Sequence, residues 1–75
     1  MSVSEKEAKA LARNYAVAEY KVPAKDIVII NTVSVVGALI WKSSYGIEIW
    51  VIKDGLPERH QLAVNTVSGE VALIY

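Results

Sequence analysis

Cysteine is absent from this 75-residue sequence, and neither sign of charge is in excess, because eight Lys and Arg residues balance eight Asp and Glu residues. Without cysteine there can be no disulfide and no thiolate-bound metal. Without a cluster of basic residues the chain lacks the phosphate-neutralising surface on which nucleic-acid binders depend. We therefore expect no nucleic-acid partner, and no motif predicts a cofactor or a metal site.

A hydrophobic run long enough to cross a membrane is also missing. The longest apolar run, residues 27–41 (IVIINTVSVVGALIW), is shorter than the ~20 residues that a spanning helix requires, and it contains Asn31, Thr32 and Ser34. We therefore expect no membrane insertion. The N-terminus is polar from Ser4 onward and carries no secretory signal, which predicts a cytoplasmic location if the chain is complete.

Hydrophobic residues are abundant, at 53% of the chain against 21% charged residues. A chain of this length forms one domain, residues 1–75, and buries only about 60% of the surface that its unfolded form exposes. Part of its apolar surface is therefore expected to meet a protein partner or a second copy of the chain. The zero net charge favours self-association, because it removes the repulsion between copies.

An N-terminal helix is predicted from residue 5 to about residue 20. Ser4 and Glu7 have the spacing of a capping box, and Pro23 prevents the helix from continuing. An apolar stripe at three- and four-residue spacing marks one face of this helix. The stripe comprises Ala8, Leu11, Ala12, Tyr15 and Ala18.

Strands are predicted for the rest of the chain, because it is rich in Ile and Val and punctuated by turn residues. The predicted strands are residues 27–41, 47–53, 58–66 and 70–75, separated by a loop at 42–46 and by turns at 54–57 and 68–69. Fifteen residues is long for one strand, so a bulge or bend is expected at Gly37. The Asp54-Gly55 pair is typical of a hairpin turn rather than of a phosphate-binding loop.

The period of two sorts the strand residues into two faces. The face predicted to lie under the helix, closed by Leu11 and Tyr15, comprises Ile47, Ile49, Val51, Leu62 and Val64. Trp50 and Ile52 lie on the opposite face, which has no helix to cover it. The first strand has apolar residues at both its odd-numbered and its even-numbered positions, and therefore on both faces. The odd-numbered set is Ile29, Val33, Val35 and Leu39, and the even-numbered set is Val28, Ile30, Val36 and Ile40. A strand that is apolar on both faces needs cover on both.

The C-terminal stretch Val64-Asn65-Thr66-Val67-Ser68-Gly69-Glu70-Val71 resembles the closing motif of PepSY domains. The segment Glu7-Ala8-Lys9-Ala10-Leu11-Ala12 looks like the opening helix of that family. The chain departs from the family pattern in having Asn65 where an acidic residue is usual, and in a more apolar first strand. The resemblance implies a non-catalytic helix-on-sheet module similar to domains that bind or inhibit peptidases, a plan that cystatin-like folds share.

Candidate catalytic residues are few. His60 is the only histidine in the sequence. Because the chain has no cysteine nucleophile, we interpret His60 as an ordinary strand residue. An enzyme that acts through His60 remains an open alternative. The spacing of Glu48, Glu58 and Glu70 does not place any two of their carboxylates at a shared site. We interpret them as solvated charges on strand edges, which discourage edge-to-edge pairing. Of the two tryptophans, Trp41 is expected in the core and Trp50 at a partner-facing position.

The sequence thus predicts an α+β fold with an N-terminal helix on a three- to four-stranded antiparallel sheet, of PepSY-like or cystatin-like plan. The predicted function is a non-catalytic protein-binding or regulatory module, a possible peptidase modulator, and not an enzyme. The alternative is a self-associating domain whose open sheet face forms a homodimer. The residues predicted to bind the partner are Trp50, Ile52, Val28, Ile30, Val36 and Ile40.

Overall fold

A computed structural model describes residues 2–37 and 41–75 and has one helix packed on one antiparallel sheet. The elements, in chain order, are α1 (Glu5–Tyr20), a short 3₁₀ turn (Ala24–Asp26), β1 (Ile27–Val36), β2 (Ser43–Lys53), β3 (Leu56–Asn65) and β4 (Val71–Leu73). The four strands are hydrogen-bonded in the order β1-β2-β3-β4, so each strand lies beside its neighbour in sequence. The predicted α+β fold is confirmed.

Helix α1 begins where the capping box predicts. The Glu7 amide donates to the Ser4 hydroxyl over 3.1 Å, and the Ser4 amide donates to the Glu7 carboxylate over 3.0 Å. Hydrogen bonding of the Glu7 carboxylate to the Ser4 amide, and second to the Ser4 hydroxyl, lowers the pKa of Glu7 below its ordinary value of 4.5. The helix ends at Lys21, which adopts the left-handed conformation (φ 56°) that glycine usually supplies at this position.

The core lies between α1 and one face of the sheet. The five strand residues predicted to lie under the helix are all fully buried. They are Ile47, Ile49, Val51, Leu62 and Val64. On the helix the buried residues are Ala8, Ala12 and Ala16, while Leu11 and Tyr15 pack at the margin and are only partly buried. The small alanine side chains let the helix backbone lie close to the sheet, so the larger residues of the stripe are displaced to its sides.

The predicted strand boundaries change in four places. β1 ends at Val36, and residues 38–40 lie outside the described part of the chain. β2 starts at Ser43, within the predicted loop, because residues 43–46 pair with β1 and residues 44–46 also pair with β3. β3 is displaced toward the N-terminus, to Leu56–Asn65 instead of 58–66, and β4 is shortened, to Val71–Leu73 instead of 70–75. Trp41 is half-buried outside β1 and is not part of the core, which corrects the expectation that it fills the core.

A bulge interrupts β1, but not at Gly37. The register shifts between Ile29 and Asn31, leaving Ile30 as the extra residue, whereas Gly37 follows the strand with φ 100°. Beyond the bulge the parity of β1 is reversed. Val33 pairs with Gly46 and Val35 with Ser44, on the face that also carries Trp50.

The turns follow the residues that can adopt them. Asp54 and Gly55 both have positive φ, 53° and 78°, as a two-residue type I′ hairpin turn requires. In the β3–β4 turn the Asn65 side-chain oxygen accepts from the amides of Val67 (2.8 Å) and Ser68 (3.0 Å). The residue that departs from the PepSY pattern therefore forms the turn through its side chain, as an Asx-type turn.

Candidate protein-binding surface

The sheet face opposite α1 carries the residues predicted to bind a partner, and we call it the open face. Direct cross-strand pairing places two residues on the same face. Val28 pairs with Trp50, and Trp50 pairs with Arg59, so these three side chains form a row across β1, β2 and β3. The described residues on the open face are Val28, Asn31, Val33, Val35, Ser44, Gly46, Glu48, Trp50, Ile52, Pro57, Arg59, Gln61, Ala63, Asn65 and Ala72.

The apolar centre of the open face is substantially exposed. Trp50 retains 41% of its surface, Val28 42% and Val33 45%. Within residues 2–37 and 41–75 no secondary-structure element packs on this side, since α1 lies on the other. The Trp50 indole beside Val28 is an exposed apolar pair of the kind found at interaction sites, and the polar row of Asn31, Glu48 and Gln61 separates it from Val33.

The end of the open face nearer the β1–β2 loop is closed by its own side chains. Gly46 is buried, and a Cβ placed on it would lie 3.3 Å from Val33 Cγ2, 3.6 Å from Gln61 Nε2 and 3.7 Å from Val35 Cγ2. The side chains of both valines therefore lie over the glycine. The open apolar surface is consequently concentrated at the Val28–Trp50 end.

A polar rim borders the Val28–Trp50 pair on the side toward the β1–β2 loop, and it is the cross-strand row of Asn31, Glu48 and Gln61. Arg59 Nε lies 2.9 Å from Glu48 Oε2, an ion pair between the neighbouring strands β3 and β2. An apolar patch with a polar, charge-balanced rim is the usual composition of a protein–protein interface.

The structure brings together only some of the six predicted binding residues. Val28, Trp50 and Ile52 share the open face. Ile30 is the extra residue of the bulge and is 44% exposed. Val36 pairs with Ser43 and so has the parity of the covered face, which corrects its predicted placement beside Trp50; Ile40 lies outside the described residues.

Two residues of the open face were missed by the sequence reasoning. Val33 and Val35 were assigned to the parity opposite Val28, which would be correct for an uninterrupted strand. The inserted Ile30 changes the parity of every later residue in β1. The sequence around Ile30 contains no glycine, so no local signal marked the bulge.

His60, the candidate general base, has contacts with Glu58, Tyr75 and Tyr20. Its Nε2 lies 3.0 Å from Glu58 Oε1, its Nδ1 lies 3.2 Å from the Tyr75 carbonyl oxygen, and its ring stacks on Tyr20 at 4.5 Å between centroids. Both ring nitrogens therefore have oxygen partners within the chain. Burial, with smaller contributions from Tyr15, Glu19 and Glu58, raises the pKa of Tyr20. The cluster joins the C-terminal ends of α1 and of the chain to β3.

Among the described residues, no group of three His, Asp or Glu side chains is placed to hold a metal ion, and no pocket is found. In that same part of the chain no helix has the length and apolar character needed to span a membrane. No known protein family, curated protein or solved structure matches the chain significantly. The PepSY resemblance therefore rests on the sequence motifs alone.

Proposed function

We propose that this chain is a non-catalytic protein-binding or regulatory module that holds a protein partner on its open face. The observation that supports it is the Val28–Trp50 pair, which is apolar, cross-strand and more than two-fifths exposed at each residue. Tryptophan at the centre of a surface patch is typical of residues that carry most of a binding energy. Covering this pair would remove the largest exposed aromatic side chain of the sheet from water.

The partner that fits this surface has an apolar patch of its own with a polar border. The Glu48–Arg59 ion pair leaves the rim without a net charge, so charge attraction contributes little to recognition. The PepSY-like motifs favour a peptidase as the partner, with the chain acting as its modulator. Fold analogy alone does not select a partner, so the peptidase assignment depends on those motifs.

The proposal can be tested by photo-crosslinking. A photoreactive residue placed at Ile52 should capture a partner in the native cell, whereas the same residue at Asn14, on the exposed side of α1, should not. Trp50→Ser should abolish the capture at position 52 while leaving the circular dichroism spectrum and the cooperative melt intact. Capture of the same protein from both positions, or unfolding of Trp50→Ser, would show that the open face is not the binding surface.

Homodimerisation through the open face is a second candidate function. A second copy would cover the exposed Val28–Trp50 pair by placing the same pair against it, as a twofold interface does. The zero net charge of the chain allows two copies to meet without repulsion. A single monomeric species by light scattering at high micromolar concentration would contradict this candidate.

A further inference from the structure

We propose that the outer edge of β1, which pairs with no strand among residues 2–37 and 41–75, pairs with β1 of a second copy, antiparallel about a twofold axis, to form a continuous eight-stranded sheet. This site is the backbone edge of β1, which lies in the plane of the sheet, so the inference does not require a partner on the open face. β1 and β4 are the two ends of the sheet, with ten and three residues. A long edge strand presents a row of unpaired backbone groups, and their chemical complement is another extended strand.

β1 has little of the protection that monomeric proteins give to such an edge. Its ten residues, IVIINTVSVV, include no charged residue and no proline. Several of its apolar side chains are 42–45% exposed, namely Val28, Ile30 and Val33. Its one protective feature is the bulge at Ile30, which leaves residues 31–36 in regular pairing and available to a second strand.

A second copy of this chain fits the edge because the regular part of β1 is self-complementary. In an antiparallel pair about a twofold axis, residues of equal parity face each other, so each sheet face continues across the junction. If Val33 lies opposite Val33 of the second copy, Thr32 lies opposite Ser34. Val33 then meets Val33 and Asn31 meets Val35 on the open face, and two Thr–Ser pairs form on the covered face.

Charge does not oppose this register. β1 contains no charged residue and the chain has zero net charge, so the strand pair brings no like charges opposite each other.

The pairing is tested by disulfide trapping, for which the cysteine-free chain is suited. Val33→Cys should form a covalent dimer under mild oxidation, because directly opposed residues of an antiparallel pair have the Cα separation that a disulfide requires. Ile52→Cys, on the open face away from the edge, is the matched control and should cross-link about tenfold more slowly or not at all. Faster cross-linking at position 52 than at 33 would overturn the proposal in favour of a face-to-face dimer.

A second measurement does not depend on oxidation. Val33→Lys should weaken dimerisation roughly tenfold or more in analytical ultracentrifugation, because two like charges would lie opposite each other in the strand pair. Gln61→Lys places the same charge on the open face of the interior strand β3 and should leave the dimer unchanged. A wild-type chain that is monomeric at high micromolar concentration, or a dimer that only Gln61→Lys weakens, would overturn edge pairing. Capture at Ile52 tests the open face separately.

Discussion

The covered face and the open face of the sheet use side chains from the same three strands, but they reach opposite degrees of burial. Under α1, the residues Ile49 and Val51 are fully buried, whereas on the open face their strand neighbour Trp50 is 41% exposed. Both faces carry large apolar side chains. The difference lies in the number of layers, because a 75-residue chain with one helix can cover one face of a four-stranded sheet.

This difference separates stability from association. The covered face holds the whole of the main core, together with the three alanines of α1. The open face contributes an exposed patch whose burial would require a second molecule. Substitutions on the first face should therefore change the free energy of unfolding, and those on the second should change binding.

The largest expected effect comes from two matched valine substitutions. Val51→Ala, on the covered face, should lower the free energy of unfolding by about 2–3 kcal/mol, because it removes two methyl groups from a closely packed site. Val28→Ala, in the neighbouring strand on the open face, should lower it by less than about 1 kcal/mol. Urea denaturation measures the free energy of unfolding of both variants. Equal decreases would show that the two faces are equally protected from solvent.

Loosening the helix that supplies the cover should have a smaller effect. Ser4→Ala removes the hydroxyl that accepts from the Glu7 amide and should cost about 1 kcal/mol of stability. The loss should appear in thermal melts of the monomer and leave partner capture at Ile52 unchanged. Ser4→Thr, which keeps a hydroxyl, is the control and should retain most of the stability.

The other end of the helix offers a change in the opposite direction. Lys21→Gly should stabilise the fold by about 0.5–1 kcal/mol, because Lys21 has a left-handed backbone (φ 56°) that glycine adopts without steric cost. Lys21→Ala keeps the Cβ and should give no such gain. A higher urea midpoint for the alanine variant than for the glycine variant would contradict this explanation.

The smallest expected effect is the pH dependence of the capping box. The hydrogen bonds from Ser4 lower the pKa of Glu7 in the folded state, so its contribution is complete above the ordinary value of 4.5 and is lost as the pH falls through the lower folded value. Glu7→Gln cannot titrate. The stability difference between wild type and Glu7→Gln should therefore be present at about pH 7 and shrink by about pH 3. A difference that does not vary with pH would contradict this.

Local signals in the sequence were sufficient for the helix, the hairpin turn and the covered face. Ser4, Glu7 and the Asp54-Gly55 pair act on backbone groups a few residues away, so their consequences can be worked out from spacing alone. The covered face followed from strict alternation in β2 and β3, which contain no bulge. Trp50 and Ile52 were placed on the open face for the same reason.

Only the tertiary structure decided which residues of β1 accompany them. The extra residue Ile30 moved Val33 and Val35 onto the open face and Val36 off it. A bulge without glycine depends on how β1 pairs with a strand about 20 residues later in the chain, and alternation within β1 cannot reveal it. By itself, then, the sequence determined that one apolar face would lack cover. Strand pairing, which is non-local, determined that this face is centred on Val28 and Trp50 and bordered by an unprotected edge.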